Sequence, residues 1–350
     1  MATAAIDRAY RLPVPGLVMG VLVLAGVSII SAITGAASLP AAGVIASMVD
    51  LVPGVSVESS LTERQESILF HIRLPRLVLG MLVGAALGMS GASFQGVFRN
   101  PLADPYLLGV SSGAGFGATL ALGLGVDIGW GPFDAVASAA FVGGLVAVGA
   151  AALIARGAGA SPATLLLAGI AMAALFAAGQ TYVLQKLSET QAREVLNWLF
   201  GRLNTSGWDQ VGLLGPYVIV CGAVLLAIRR HLDVLRVGDD EARALGLDPG
   251  RSRAIVIVAA SLLTAAAVSV SGLIAFVGLV VPHVVRLTAG HSYRAILPLS
   301  ALLGASFLAL VDVGARTLAA PAELPVGVVT AFIGAPFFAF VLIQARKAAV

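Results

Sequence analysis

The polar residues of this 350-residue chain are few, and their spacing excludes most chemistry at the outset. His71, His231, His283 and His291 fall in different loops and apolar runs. They form no cluster with Cys221 or with the carboxylates, so no metal site is expected. A nucleotide-hydrolysing P-loop needs Gly-Lys-Ser/Thr. The only lysines are Lys186 and Lys347, and they follow Gln185 and Arg346. ATP hydrolysis is therefore not expected of this chain. No clustered catalytic groups are visible, and no catalytic residue is assigned. Asp312 and Arg316 stand four apart in an apolar run and can pair locally. They do not make the deep carboxylate chain that a proton relay uses.

Two polar motifs remain that could carry force rather than a reaction. The segment FRNPLADP, residues 98–105, sets Pro101 and Pro105 to stop helices and Asn100 and Asp104 to cap chain ends. It reads first as a stiff reverse turn and second as a gate element at a pore mouth. The segment GDDEARALG, residues 238–246, reads as a short amphipathic helix. Asp239, Asp240 and Glu241 suit a helix N-terminus, and Gly246 suits the residue beyond its end. Ala242 and Leu245 would form a small apolar face. So short a helix is marginal unless it docks, either on the chain's own helix ends or into a partner.

These motifs must be held by something very apolar. The chain is 59% hydrophobic and 11% charged. A soluble domain carries roughly 25% charged residues, so this chain cannot cover a water-facing surface of its size. Apolar runs of about 20 residues match the hydrocarbon core of a bilayer. They do not alternate as barrel strands do. The expected class is all-α, a polytopic membrane helical bundle in a single domain over 1–350. About ten spans are expected, at 14–35, 75–97, 105–124, 134–155, 162–185, 211–230, 253–271, 274–288, 295–316 and 325–345. The first apolar run, Leu12 to Ile33, exceeds a signal-peptide core and reads as an uncleaved span.

With the N-terminus in the cytoplasm, 14 of the 21 Lys and Arg residues fall inside and 7 outside. The positive-inside rule favours this orientation and places both termini in the cytoplasm. The loop at about 231–252 is then the largest inside loop. The basic residues are dispersed between spans, which argues against nucleic acid. Arg73, Arg76 and Arg316 fall outside, against the rule. Gly80, Gly84 and Gly88 repeat every four residues, as do Gly109, Gly113 and Gly117. Such stripes let helix backbones approach in lipid, within one bundle or at a dimer seam.

At these residues the chain resembles the permease subunit of type II ATP-binding-cassette importers, which take up iron–siderophores, haem and cobalamin. The resemblance covers nearly the whole chain. It is carried in order by RLPR, GAALGMSG, FRNPLADPYLLGVSSGA, LLLAGIA, GLVVPHVVRL, LPLSALLGAS, DVGAR and AELPVGVVTAFIGAPFF. It implies a homodimer with one central pathway in the bacterial cytoplasmic membrane. It implies two cytoplasmic ATPase subunits, which use ATP and Mg, and an outside or periplasmic substrate-binding protein. No cofactor is implied for this chain. Gly238, Asp239, Glu241, Ala242, Leu245 and Gly246 match the family's coupling helix. Asn100 and Leu102 match its cytoplasmic gate turn. Arg73, Arg76 and Arg316 match arginines that meet glutamates of the binding protein. The fifth and last spans would line the pathway. The loop VLNWLFGRLNTSGW departs from the family's WxxGSLxGxxW form near the pathway entrance. The expected cargo is an iron chelate, with siderophore–iron ranked before haem and cobalamin. The alternative is an ion- or proton-coupled secondary transporter, which would want intramembrane carboxylates or broken helices with ion sites.

Overall fold

The computed structural model describes residues 14–35, 39–50, 56–125, 134–159, 161–203 and 207–348. Among them there is helix and no strand. Helix α1 spans Val14–Ile33, α2 Ala41–Asp50, α3 Glu63–Val97 and α4 Val110–Gly123. Helix α5 spans Ala135–Gly157, α6 Pro162–Leu184, α7 Glu189–Leu199 and α8 Trp208–Ala227. The rest are α9 Arg229–Leu235, α10 Asp239–Ala244, α11 Pro249–Ser271, α12 Val277–Ala289, α13 Tyr293–Thr317 and α14 Val326–Ala348.

Each of the ten expected spans coincides with a helix. Seven of the described helices are long and apolar enough to cross a membrane: α1, α3, α5, α6, α8, α11 and α13. Shorter apolar helices accompany them, including α12 and the described part of α14. The largest departures are at 63–74 and 105–109. Helix α3 begins twelve residues earlier than expected, with a π turn at Leu69–Arg73 carrying it through RLPR. Thr62 and Gln65 start it as a capping box, each side chain bonding the other's backbone N–H. At the other site, Pro105–Leu108 is a 3₁₀ turn, and Gly109 takes a left-handed φ of 83° before α4 begins. Gly109 is thus a hinge residue rather than a member of the Gly113 and Gly117 stripe.

Helices α3, α11 and α13 form the centre, and α1, α5, α6 and α8 surround them with largely apolar exposed faces. The glycine stripes explain the closeness at the centre. Gly84 lies against the backbone of Gly304, and Gly88 against Ser300, so α3 and α13 touch backbone to backbone. Gly91 lies against Gly278 of α12 in the same way. Gly113 and Gly117 abut Gly143 and Ala139 of α5. These stripes pack within one chain, which is the bundle alternative of the sequence reading.

Residues 272–276 break the path between α11 and α12. Gly272 and Phe276 both have left-handed backbones, with φ of 68° and 69°. The expected spans 253–271 and 274–288 part at this point, although SGLIAFVGLVV is apolar throughout. The break holds no carboxylate. The hydroxyl of Tyr106 donates to the carbonyl of Ile274 at 2.9 Å and accepts from its N–H at 3.3 Å. Replacing Tyr106 with Phe should strand both backbone groups, and a lost buried partner costs about 1–3 kcal/mol. Thermal unfolding of the detergent-solubilised protein would measure it. A midpoint equal to the parent's would mean that this bond does not hold the break.

Candidate functional site

Two ends of the bundle gather the polar motifs. At one end, FRNPLADP leaves α3. Phe98 caps the helix, and Arg99 then turns left-handed with a φ of 50°. Its fold-back lets the N–H of Asn100 donate to the carbonyl of Gln95 at 3.2 Å. The Asn100 side chain accepts from the N–H of Leu102 at 2.9 Å, and its carbonyl accepts from Ala103 at 3.1 Å. The turn is therefore bonded at each step, while Leu102 stays exposed. Asp104 caps the following 3₁₀ turn by accepting from the N–H of Tyr106 at 2.8 Å. Burial pushes the Asp104 carboxyl up to about 6, against the pull of that bond.

The GDDEARALG segment forms a helix over Asp239–Ala244, as its pattern predicts. Gly246 is left-handed at φ 80°, and the N–H of Leu247 reaches back to the carbonyl of Ala242 at 2.9 Å. The expected apolar face is not one face. Ala242 is fully buried against its own chain, whereas Leu245 is 70% exposed. Leu245 still donates its N–H to the carbonyl of Glu241 at 3.0 Å, as a last helical residue does, but the rest of the chain leaves its side chain uncovered. Asp240 and Arg243 bond each other on the outer side at 2.7 Å. Gly238 and Glu241 sit at the start of this helix, where the Gly238 carbonyl accepts from the Ala242 N–H at 3.1 Å. The turn at 98–105 and this helix meet, because the Arg99 guanidinium reaches Asp239. That contact spans 140 residues and was not foreseen. The only signal for it was an arginine standing beside a proline turn.

The opposite end carries Arg73, Arg76 and Arg316, the three arginines expected outside. They come together, but they point inward. Asp312, 2% exposed, accepts from Nε and Nη2 of Arg76 at 3.0 and 2.8 Å. Its second oxygen pairs with Nε of Arg316 at 3.1 Å, which is the expected local pair. Nη1 of Arg76 meets the half-exposed Glu323 at 3.0 Å. Arg73 donates to the carbonyls of Ala32 and Ile33, both at 2.7 Å. Arg316 donates to the carbonyl of Thr34 at 2.9 Å and the hydroxyl of Ser31 at 3.0 Å. These are the groups that the C-terminal end of α1 leaves unpaired, and two cations there also complement its dipole. The sequence reading took the three arginines as exposed side chains. Burial and internal pairing are the difference, because the partners lie on α1 and α13, remote in sequence.

Beside this end, α14 begins where Val326 and Gly327 donate to the carbonyls of Gly201 and Phe200, both at 3.1 Å. An apolar recess of about 560 Å³ lies along α14 and the helix break, lined by Leu199, Phe200, Leu273, Gly327, Ala331 and Phe332. His283 packs edge-on to Phe337 across α12 and α14, as a structural ring does. Among the described residues no three His, Cys, Asp or Glu side chains gather into a metal-sized group.

Residues 22–344 match the model of the FecCD transport family. A cobalamin import system permease protein of Halobacterium salinarum is 45% identical over 82% of this chain and 76% of its own length. A hemin transport system permease protein of Yersinia pestis is 37% identical over 83% of this chain and 87% of its own. A solved structure, described as a metal-chelate type ABC transporter in an inward-facing conformation, superposes with a TM-score of 0.82 at 32% identity. It covers 94% of this chain and 98% of that one.

Proposed function

The chain belongs to the FecCD transport family, the permease subunits of ATP-binding-cassette importers, and from that premise we propose how it works with its partners. Two copies form one pathway across the bacterial cytoplasmic membrane, with both termini inside. The largely exposed apolar helix α6 and the last helix α14, with its recess, are the walls that fit this role. Two separate ATPase subunits bind beneath and hydrolyse ATP with Mg as their cofactor. Neither nucleotide nor cargo chemistry is done by this chain. Alternating access follows from the partners' different affinities for the two states.

The observation that carries this reading is α10. It is a short helix with an acidic first turn, anchored by the buried Ala242 and offering the exposed Leu245 to a partner. Leu245→Arg should therefore release the ATPase subunits while the membrane fold stays intact. Ala242→Arg would instead disturb the chain's own packing. Co-purification from detergent tests this. Full retention of the ATPase by Leu245→Arg would overturn the contact. ATP hydrolysis by the chain alone would overturn the division of labour.

The docking face for an outside binding protein is the end that holds Arg73, Arg76 and Arg316. Since their side chains are turned inward, they shape this face through α1, α13 and the Glu323 loop. The cargo is a metal chelate. A corrinoid now ranks ahead of siderophore–iron and haem, because the 45% identical relative carries a cobalamin name. Uptake into liposomes with the cognate binding protein and ATPase, run against a panel of the three, decides among them.

A further inference from the structure

Arg99 sits where the turn of Asn100 and Leu102 meets the α9–α10 pair. Its Nε donates to the carbonyl of Leu235, the last residue of α9, at 2.7 Å. Its Nη2 pairs with Asp239, the first residue of α10. One guanidinium therefore holds both sides of the joint between those helices. Asp239 is held from a third direction, where Nη1 of Arg253, near the start of α11, bonds its other oxygen at 2.8 Å. Hydrogen bonding and charge from Arg253, with Arg99 behind them, keep the Asp239 carboxyl below the usual carboxylate range, against a smaller opposing effect of burial.

The backbone of Arg99 is as telling as its side chain. A φ of 50° is uncommon for a residue with a Cβ, and it recurs at sites where geometry matters more than local comfort. Here the left-handed turn does two things at once. It folds Asn100 back onto Gln95, and it leaves α3 at the residue whose side chain bonds α9 and α10. Both partners of the ion pair are a third or more exposed, so the pair adds little to stability and can be remade as helices shift.

We infer that the Arg99–Asp239 pair is the link through which movement of the α9–α10 joint reaches the turn of Asn100 and Leu102. This rests on the proposed coupling role of α10. Arg99 and Asp239 are positioning residues: they touch neither cargo nor nucleotide. Arg253 holds Asp239 to α11 and is no part of the route to the turn.

The test uses the complete importer in proteoliposomes, with its ATPase and binding protein, and reads cobalamin, or whichever of the three chelates the parent takes up, as cargo moved per ATP hydrolysed. Arg99→Gln, which lies outside α10, should keep the ATPase bound and hydrolysing, and Asp239→Asn is read on the complexes that retain the ATPase. Each should move about tenfold less cargo per ATP, within the 5–150-fold usual for coupling between sites. The double variant should be no worse than either single one, because both remove the same link. Arg253→Gln should stay within about twofold of the parent, since it leaves the turn connected. Unchanged cargo per ATP in both single variants would overturn the inference. So would a double loss equal to the product of the single losses, or equal falls in hydrolysis and transport. A parent complex without ATP-dependent uptake would instead overturn the proposed function itself.

Discussion

Asp312→Ala is expected to be among the most damaging single substitutions in this chain. The carboxylate is nearly inaccessible and accepts from Arg76 and Arg316 together. Removing it leaves two guanidiniums with one fewer counter-charge in a buried place. Breaking a buried ion pair from one side costs about 3–5 kcal/mol, because the remaining charge is left without compensation. Arg76 would keep the half-exposed Glu323 as its acidic partner, and Arg316 would keep the neutral oxygens of α1 and the more distant charge of Glu323. The consequence should spread to the end of α1 and to the loop entering α14. Lower yield and a lower unfolding midpoint in detergent are the measurements. Removing the charges together, with Arg76→Met, Asp312→Leu and Arg316→Met, should be much less harmful than Asp312→Ala alone. An Asp312→Ala protein within about 1 kcal/mol of the parent, the ceiling for an exposed pair, would show that the network is solvated and weak.

Gly84→Leu and Gly88→Leu should each prevent normal packing of α3 on α13. A Cβ at Gly84 would overlap the carbonyl of Gly304, and one at Gly88 would overlap that of Ser300. The obstacle is backbone on both sides, so no side chain can rotate away. Overpacking costs about 1–3 kcal/mol and occasionally more, and these sites belong at the upper end. Aggregation on size-exclusion chromatography is the expected result. Gly149→Leu is the internal control. It lies on an exposed stretch of α5, and a Cβ there meets no atom within 4 Å. Leaving Gly in a helix costs roughly 1 kcal/mol, so this control should be neutral or slightly stabilising. Normal folding of Gly84→Leu and Gly88→Leu would mean that this face does not pack against α13.

Some features were legible in the sequence because their physics is local. A run of apolar residues declares a span by its length alone, and each of the ten runs holds a helix. The RLPR motif was harder. Its proline looked like the start of a span, and that proline is tolerated two residues into regular α-helix after a π turn, so α3 runs on from Glu63. The GDDEARALG helix was legible down to its glycine cap, since capping depends only on neighbouring backbone. The opposite exposures of Ala242 and Leu245 were not, because burial depends on which distant parts of the chain cover each side chain.

Residue types and spacing alone determined the membrane class and the absence of a P-loop, and they marked the glycine stripes as packing faces. They also singled out the turn at 98–105 and the helix at 238–246. Each of these follows from composition or from contacts within a few residues, which any folded arrangement must respect. Only the tertiary structure decided which charges meet. Arg76 reaches Asp312 across 236 residues, and Arg99 reaches Asp239 across 140. It also turned Arg73, Arg76 and Arg316 inward and set Tyr106 to bond the backbone of the break at 272–276. An arginine carries the same charge wherever it lies. Its partner is chosen by which helices pack side by side, and in this bundle that choice was made by backbone contacts at Gly84, Gly88 and Gly91, far from the charges themselves.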